Sequence, residues 1–201
     1  MRKTSSLLLW LAWLSCCSSP LESHLPLWKV EGKVGAFIPT SKKIRQIFAG
    51  ALPFFEAEAS CRFAPCWDIS TSVGYMWANG HSLGCRNPTF LQLIPLSITL
   101  HRFFRWNSQC DLFLGVGGIY SFYRNNDASP YVHQHISEKG GGARLNGAIA
   151  YRFTDCFKTS LVAEYIYQRF SSHRVYERHF TYRHAVDMSG VNLAIQCGYL
   201  F

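Results

Sequence analysis

The chain has 201 residues, enough for one domain and a short leader, and carries 20 Lys and Arg against 12 Asp and Glu. Hydrophobic residues make up 48% of it and aromatic residues 15%, which excludes an intrinsically disordered protein. After the N-terminal leader no apolar run reaches the roughly 18 residues that a membrane-spanning helix needs. Helical membrane proteins are therefore excluded as well.

Residues 1–19 have the pattern of a signal peptide. Arg2 and Lys3 form a positively charged N-terminal region, an apolar core follows at 7–14, and small residues occupy 15–19. We predict a signal peptide at 1–19 and one mature domain at 20–201. Cleavage after residue 19 would remove two basic residues and no acidic residue, so the net charge would fall from +8 to +6. A basic exported chain favours anionic lipid or lipopolysaccharide as its partner and argues against nucleic acid.

Eight segments of the mature chain alternate apolar and polar residues with the period of two that is typical of a β-strand. In the first, Trp28, Val30, Val34 and Ala36 share one face, and charged residues occupy the other. Pro95 lies inside the fourth segment, where it costs a ladder hydrogen bond and predicts a bulge. The predicted strands are 28–37, 55–63, 68–79, 89–104, 109–124, 142–153, 156–170 and 191–201.

The connections between these strands alternate long and short. Those after the second, fourth and sixth strands are short and lie on the same side as both chain ends. Long polar loops are predicted at 125–141 and 171–187. In the first long connection, Ser41 followed by Ile44, Ile47 and Phe48 predicts either a short amphipathic helix over a barrel mouth or an irregular loop.

Aromatic residues fall into two bands at the strand ends, with aliphatic residues between them. Two such bands are expected where each strand crosses two membrane–water interfaces, whereas a soluble barrel turns its apolar face inward. The band at the short-turn end comprises Trp28, Phe63, Trp67, Phe103, Phe104, Trp106, Phe153, Phe157, Tyr199 and Phe201. The band at the long-loop end comprises Phe37, Phe55, Tyr75, Trp77, Tyr120, Phe122, Tyr123, Tyr165, Tyr167 and Phe170.

The last strand ends the chain on an aromatic residue. Val191, Leu193, Ile195, Tyr199 and Phe201 share its apolar face. Alternation alone also fits a half-buried strand of a soluble domain, but closure on a terminal Phe resembles the C-terminal signature of bacterial outer-membrane barrels. In those proteins, by resemblance, the barrel-insertion machinery reads this strand.

With its alternating long and short connections and its aromatic bands, the mature chain resembles the small eight-stranded outer-membrane barrels of the OmpA-like, OmpX-like and OmpW-like superfamily. The resemblance covers residues 28–201. It implies an all-β, antiparallel, up-and-down transmembrane β-barrel in a bacterial outer membrane. The functions of this superfamily are diverse, so the fold alone does not choose among them.

An eight-stranded barrel has an interior just wide enough for its own side chains. We therefore predict a plugged lumen and a structural or surface-interaction role without catalysis or a cofactor. The alternative is a narrow channel or a conduit for small solutes or hydrophobic molecules. The predicted lumen face carries Lys29, Glu31, Lys33, Glu56, Glu58, Arg62, Arg144, Arg152, Lys158, Glu164 and Gln168.

Six cysteines follow the leader, and their spacings match no zinc motif. The predicted order of strands and connections places one of them, Cys85, in a long loop. It places the other five at the short-turn, periplasmic end, where an oxidising compartment permits disulfides with one another or with other cysteine-rich envelope proteins. The alternative is that they act as small hydrophobic groups. These five are Cys61, Cys66, Cys110, Cys156 and Cys197.

The long loops carry the remaining candidate residues. Arg174, Arg178 and Arg183 are predicted to contact lipopolysaccharide phosphates. The pair His133 and His135 is too weak a pattern to predict a metal site.

A remote alternative is an outer-membrane lipid-modifying hydrolase. His135 and Ser137, with Glu138 or Glu164 to orient the histidine, faintly resemble the His/Ser/Glu set of barrel lipid A deacylases. A nucleophilic serine needs a positioned base and oxyanion donors, and a flexible loop provides neither.

Overall fold

The computed structural model describes residues 28–48, 50–83, 86–128, 135–176 and 180–201, with side chains throughout except at 171–185. The predicted signal peptide, Cys85, His133 and Arg178 lie outside the described residues. No helix within the described ranges is long and apolar enough to cross a membrane.

Nine strand segments and one short helix make up the described chain. The helix is α1 (Lys42–Ile47). The strands are β1 (Trp28–Pro39), β2 (Leu52–Ala64), β3 (Trp67–His81), β4 (Pro88–Arg105), β5 (Cys110–Asp127), β6 (His135–Arg152), β7 (Phe157–Tyr176), β8 (Phe180–Asp187) and β9 (Gly190–Leu200).

The strands close into a barrel in which every pairing is antiparallel. Consecutive strands pair from β1 to β7, and β9 closes the ring by pairing with both β1 and β7. β8 pairs with the upper part of β7, beyond the stretch that β9 covers, so it extends a two-stranded ribbon past the rim. The wall therefore has eight strands, and the predicted fold is confirmed.

The predicted long loops 125–141 and 171–187 are mostly strand. β5 continues to Asp127, β6 already begins at His135, and the β7–β8 ribbon occupies most of the last connection. Where a hairpin extends beyond an apolar environment, backbone pairing continues without an alternating hydrophobic pattern. The alternating hydrophobic pattern in the sequence therefore ends several residues before the strand pairing ends.

The predicted bulge at Pro95 is wrong. Val73 pairs with Leu96 and Met76 with Leu93, so the β3–β4 register is the same on both sides of the proline. The ladder is only interrupted there, opposite Gly74. A Cβ at Gly74 would lie 2.8 Å from Pro95 Cγ, so the missing side chain makes room for the proline ring. The β2–β3 pair does shift its register, between Arg62 and Ala64.

The wall is apolar outside and polar inside, as the alternation predicts. Val30 and Leu161 are 52% and 66% exposed, whereas Lys33 is 3% exposed. Two aromatic bands bracket the aliphatic zone on the outer face. Four residues predicted for these bands point inward instead, because they alternate with outward neighbours such as Phe122: Phe37, Phe103, Tyr123 and Phe170.

The inward aromatic residues at the long-loop end belong to an apolar compartment in the outer half of the lumen. α1 confirms the predicted helix and caps this compartment by burying Ile44 and Phe48 in it. Ser41 precedes the helix without a side-chain capping bond. The compartment also contains Phe37, Leu52, Phe54, Met76, Leu91, Leu93, Ile119, Tyr123, Ile166, Phe170 and Met188.

Gly115 offers a test of the inward packing. A Cβ there would lie 2.0 Å from Asn146 Oδ1 and 2.2 Å from His101 Cδ2. Gly115→Ala should therefore lower the free energy of unfolding by about 1–3 kcal/mol. Gly32→Ala is the control, because a Cβ at Gly32 meets no atom within 4 Å. Urea unfolding in lipid vesicles, followed by tryptophan fluorescence, measures both. Equal stability of the two variants would contradict the packing described.

Candidate functional site

The centre of the lumen holds a network of buried ion pairs contributed by four strands. Lys33 of β1 donates to Glu56 of β2 and to Glu164 of β7, both at 2.8 Å. Arg144 of β6 donates to Glu56 at 3.1 Å and also to Glu164. Because strand pairing fixes the height of each residue, these charges meet across the barrel axis.

Polar neighbours complete this central layer. Glu58 Oε2 lies 3.6 Å from Lys33 Nζ. Arg144 Nη1 donates to Ser72 Oγ at 3.1 Å, and Asn192 Nδ2 donates to Glu164 Oε2 at 3.0 Å. Buried charges are tolerated only when they are paired and their remaining hydrogen-bonding groups are largely satisfied.

A second ionic layer lies toward the short-turn end. Lys158 Nζ pairs with Glu31 Oε1 at 2.8 Å. Asp68 accepts from Arg62 Nε at 3.1 Å and also pairs with Lys29. Aromatic rings separate these pairs from the wall: the Lys29 ammonium lies 4.3 Å from the Phe103 ring centre, and that of Lys158 lies 5.3 Å from the Phe113 ring centre.

The two layers are balanced in charge. Five basic and five acidic side chains take part, so their formal sum is zero with His101 neutral. Every residue predicted for the lumen face points inward, which confirms that prediction. The five bases are Lys29, Lys33, Arg62, Arg144 and Lys158, and the five acids are Glu31, Glu56, Glu58, Asp68 and Glu164.

His101 is a lumen residue that the sequence reasoning missed. It is 3% exposed, its Nε2 lies 3.1 Å from Asn146 Nδ2, and its Nδ1 lies 3.9 Å from Glu58 Oε1. The absent side chain of Gly115 provides the space for its ring. The available signal was its position, since His101 continues the inward face of a strand whose outward residues are Ile98 and Leu100.

The hydrolase constellation is not assembled. His135 and Ser137 share one face of β6, but His135 Nδ1 is bonded to Asn126 Oδ1 at 3.0 Å. Glu138 alternates onto the other face, and Glu164 is held by Lys33 and Arg144 in the lumen. No carboxylate therefore orients this histidine among the described residues. Nor do any three His, Cys, Asp or Glu side chains there come together as metal ligands.

The five cysteines lie at the short-turn end, as predicted. Cys66, Cys110 and Cys156 lie in or beside the three short turns, while Cys61 and Cys197 lie on the wall. The Cys197 thiol faces outward, 3.6 Å from Thr159 Oγ1. The structure shows no disulfide among these five cysteines.

Two of the three residues predicted to contact lipopolysaccharide, Arg174 and Arg183, have their backbone on the β7–β8 ribbon, and Arg178 lies outside the described residues. The backbone register pairs His173 with Arg183 and Arg174 with Tyr182.

The predicted insertion signature forms the strand that closes the barrel. Its residues Val191, Leu193, Ile195, Tyr199 and Phe201 are 37–61% exposed on the outer face. Phe201 exchanges two backbone hydrogen bonds with Trp28, both at 3.1 Å.

The ion-pair network predicts that neutralising a buried acid lowers the free energy of unfolding far more than neutralising an exposed acid. Glu164→Gln leaves Lys33 and Arg144 short of a negative partner, and should lower the free energy of unfolding by about 3–5 kcal/mol. The control is Asp111→Asn, which disturbs the partly exposed pair with Arg152 (3.0 Å) and should cost less than about 1 kcal/mol. Urea unfolding of both variants in vesicles makes the comparison, and equal losses would show that Glu164 is not a buried anchor.

No protein-family model matches the chain, and no curated protein sequence does so either. Solved structures do resemble it. The outer membrane protein OprG of Pseudomonas aeruginosa superposes with a TM-score of 0.62 at 13% identity, covering 88% of this chain and 96% of OprG. Neisserial surface protein A gives 0.56 at 14%, with 87% and 97% covered. Ail of Yersinia pestis, in complex with the heparin analogue sucrose octasulfate, gives 0.52 at 13%, with the same coverage.

At these identities the likeness establishes the fold. The shared architecture, together with the apolar outer face and its two aromatic bands, agrees with the predicted localisation in the bacterial outer membrane. In such barrels the short turns face the periplasm and the long loops face outward. The chain is a small eight-stranded β-barrel of the bacterial outer-membrane type.

Proposed function

We propose that the protein is a non-conducting outer-membrane barrel with a structural and surface-interaction role and no catalytic activity. The observation that carries this proposal is the lumen, which is crossed by the pair between Arg144 of β6 and Glu56 of β2, on opposite sides of the ring, while Lys33 binds Glu56 and Glu164. An ion entering from either side meets a layer whose charges are already neutralised by one another. Above it, the apolar compartment under α1 offers no ligand for an ion.

The surface-interaction part of the proposal rests on the β7–β8 ribbon, whose backbone includes Arg174 and Arg183 beyond the stretch that β9 covers. We assign these arginines, with Arg178 between them, to contacts with anionic saccharides such as the phosphorylated core of lipopolysaccharide. The structure of Ail with a sulfated sugar supports an anionic saccharide as ligand on a barrel of this fold.

The periplasmic end is assigned two further roles within the same proposal. The closing strand, with its outward apolar residues and terminal Phe201, is the segment offered to the barrel-insertion machinery. The cysteines at this end, Cys110 and Cys156 among them, form disulfides with one another or with other cysteine-rich envelope proteins in this proposal, because the periplasm is oxidising.

Planar-bilayer recording tests the closed lumen. The wild-type barrel should give no resolved current steps, since both the ionic layer and the apolar layer block the axis. The triple variant Glu56→Ser/Arg144→Ser/Phe48→Ala removes one charge of each sign and one apolar plug residue, and should conduct. Reproducible wild-type steps that scale with the amount of folded protein would instead favour the narrow channel.

A second candidate function is the uptake of small hydrophobic molecules, and the apolar outer compartment favours it. The side chains that fill this compartment from above, Ile44 and Phe48, belong to a helix of only six residues and to the residue that follows it. A ligand could replace them if the helix moved away. The ionic layer below would prevent that ligand from continuing along the axis.

Phe48→Ala tests this second candidate. Removing the ring, which is 4% exposed, should raise the affinity for a fluorescent polyene fatty acid several-fold. Gln46→Ala, an exposed position on the same helix, is the control and should leave the affinity unchanged. Fluorescence titration of the folded barrel in detergent makes the measurement. No binding to either variant would contradict a hydrophobic ligand in this compartment.

A further inference from the structure

The outer rim of the barrel wall carries three cations on neighbouring strands. Arg124 of β5, Lys139 of β6 and Arg169 of β7 are exposed on the lipid-facing side of three neighbouring strands. The register places Gln92 of β4 level with Arg124, and Trp77 of β3 level with Gln92. Among the described residues, the outward positions at the same rim of β1 to β4 are uncharged: Ile38, Pro53, Trp77, Asn79, Phe90 and Gln92.

Two of these cations lie on rings of the outer aromatic band. Lys139 Nζ is 5.7 Å from the Phe122 ring centre, and Arg169 Cζ is 5.5 Å from the Tyr167 ring centre. Because the aromatic band marks the membrane–water interface, the two charges lie at the level of lipid headgroups. Cation–π contact restrains them there while leaving their hydrogen-bond donors available.

Below the cations the wall is recessed. Gly118, Gly141 and Ala143 face outward on β5 and β6, flanked by Tyr120 and Tyr167 through the backbone pairing. A Cβ built on Gly118 meets no atom within 4 Å, and one on Gly141 meets only the Ile119 carbonyl oxygen, at 3.9 Å. The recess runs from the headgroup level into the apolar zone, which is the shape that an acyl chain requires.

The described acid on the same outward face as these cations is Asp187, since Glu138, next to Lys139 in the sequence, lies on the other face of β6. Asp187 of β8 is opposite Arg169 in the register, and its carboxylate accepts a hydrogen bond from the Ser189 backbone N–H at 2.9 Å. Three cations against one acid leave the site positive. Its ligand must therefore combine an anionic headgroup with acyl chains, and it must belong to the outer leaflet because the site lies at the long-loop end.

We propose that this wall binds one molecule of lipid A. Lys139 and Arg169 contact its phosphates, with Arg124 beside them, and one of its acyl chains lies along the recess at Gly118 and Ala143. A bisphosphorylated glycolipid fits the separation of the cations over three strands better than a phospholipid with a single phosphate. The site is separate from the lumen and lies at the base of the β7–β8 ribbon, below Arg174 and Arg183, so it stands whether or not the barrel conducts.

Native mass spectrometry of the folded mature barrel in detergent tests the site with purified bisphosphorylated lipid A as probe. Wild type should retain one lipid A. Lys139→Ala/Arg169→Ala should bind it at least about tenfold more weakly, since two charge-assisted contacts are lost. The control Lys42→Ala/Lys43→Ala removes the same charge from exposed positions on α1 and should bind like wild type. A heat-dependent gel shift verifies that each variant is folded.

A second pair of variants tests the recess independently of charge. Gly118→Leu fills it without meeting any described atom near its Cβ and should weaken retention several-fold. Gly32→Leu adds the same side chain to an equally open position on β1 and should have no effect.

Three outcomes would overturn the proposal. The first is equal retention by wild type and Lys139→Ala/Arg169→Ala. The second is equal loss in Lys42→Ala/Lys43→Ala, which would assign binding to net charge. The third is equal retention of dephosphorylated lipid A or of phosphatidylglycerol, which would assign it to acyl contact or to any anionic lipid.

Discussion

The structure depends on one constraint: no backbone hydrogen-bonding group can remain unpaired in a membrane. A sheet satisfies this only by closing on itself, and here β9 closes it by pairing with β1 on one side and β7 on the other. The reciprocal bonds between Trp28 and Phe201 continue the pairing of β1 with β9 at the short-turn rim. Closure with eight strands then fixes a narrow interior, and the packing of the lumen follows from that width.

A narrow interior surrounded by lipid forces its polar groups to satisfy one another. Lys33 and Arg144 share Glu56 and Glu164, so loss of one acid leaves two cations with fewer partners. Space is limited in the same way: the β9 glycine Gly198 has no side chain where Glu31 passes, since a Cβ there would lie 2.7 Å from the glutamate. Charge balance and small residues together allow these charged side chains to pack inside the narrow lumen.

The outside of the barrel is less uniform than the fold requires. Any lipid-facing wall needs an apolar zone and interfacial aromatic residues, and β1 to β4 have both with no Lys or Arg at the outward strand positions of their outer rim. The three cations on β5 to β7 are therefore an addition to what the fold demands, as is the apolar compartment beneath α1. Such additions are where barrels of one architecture acquire different ligands.

By itself the sequence determined the barrel, its strand number and the two faces of each strand. The reason is that a side-chain period of two is a local pattern, which can be recognised in a single sequence. The face of Lys29, Glu31 and Lys33 was predictable for this reason. Only the tertiary structure decided which charges meet, since the pairing of Lys33 with Glu164 joins residues 131 positions apart. It also extended the β7–β8 ribbon and brought Lys139 and Arg169 to one wall. Those outcomes depend on strand register, which closure of the ring sets and no local pattern encodes.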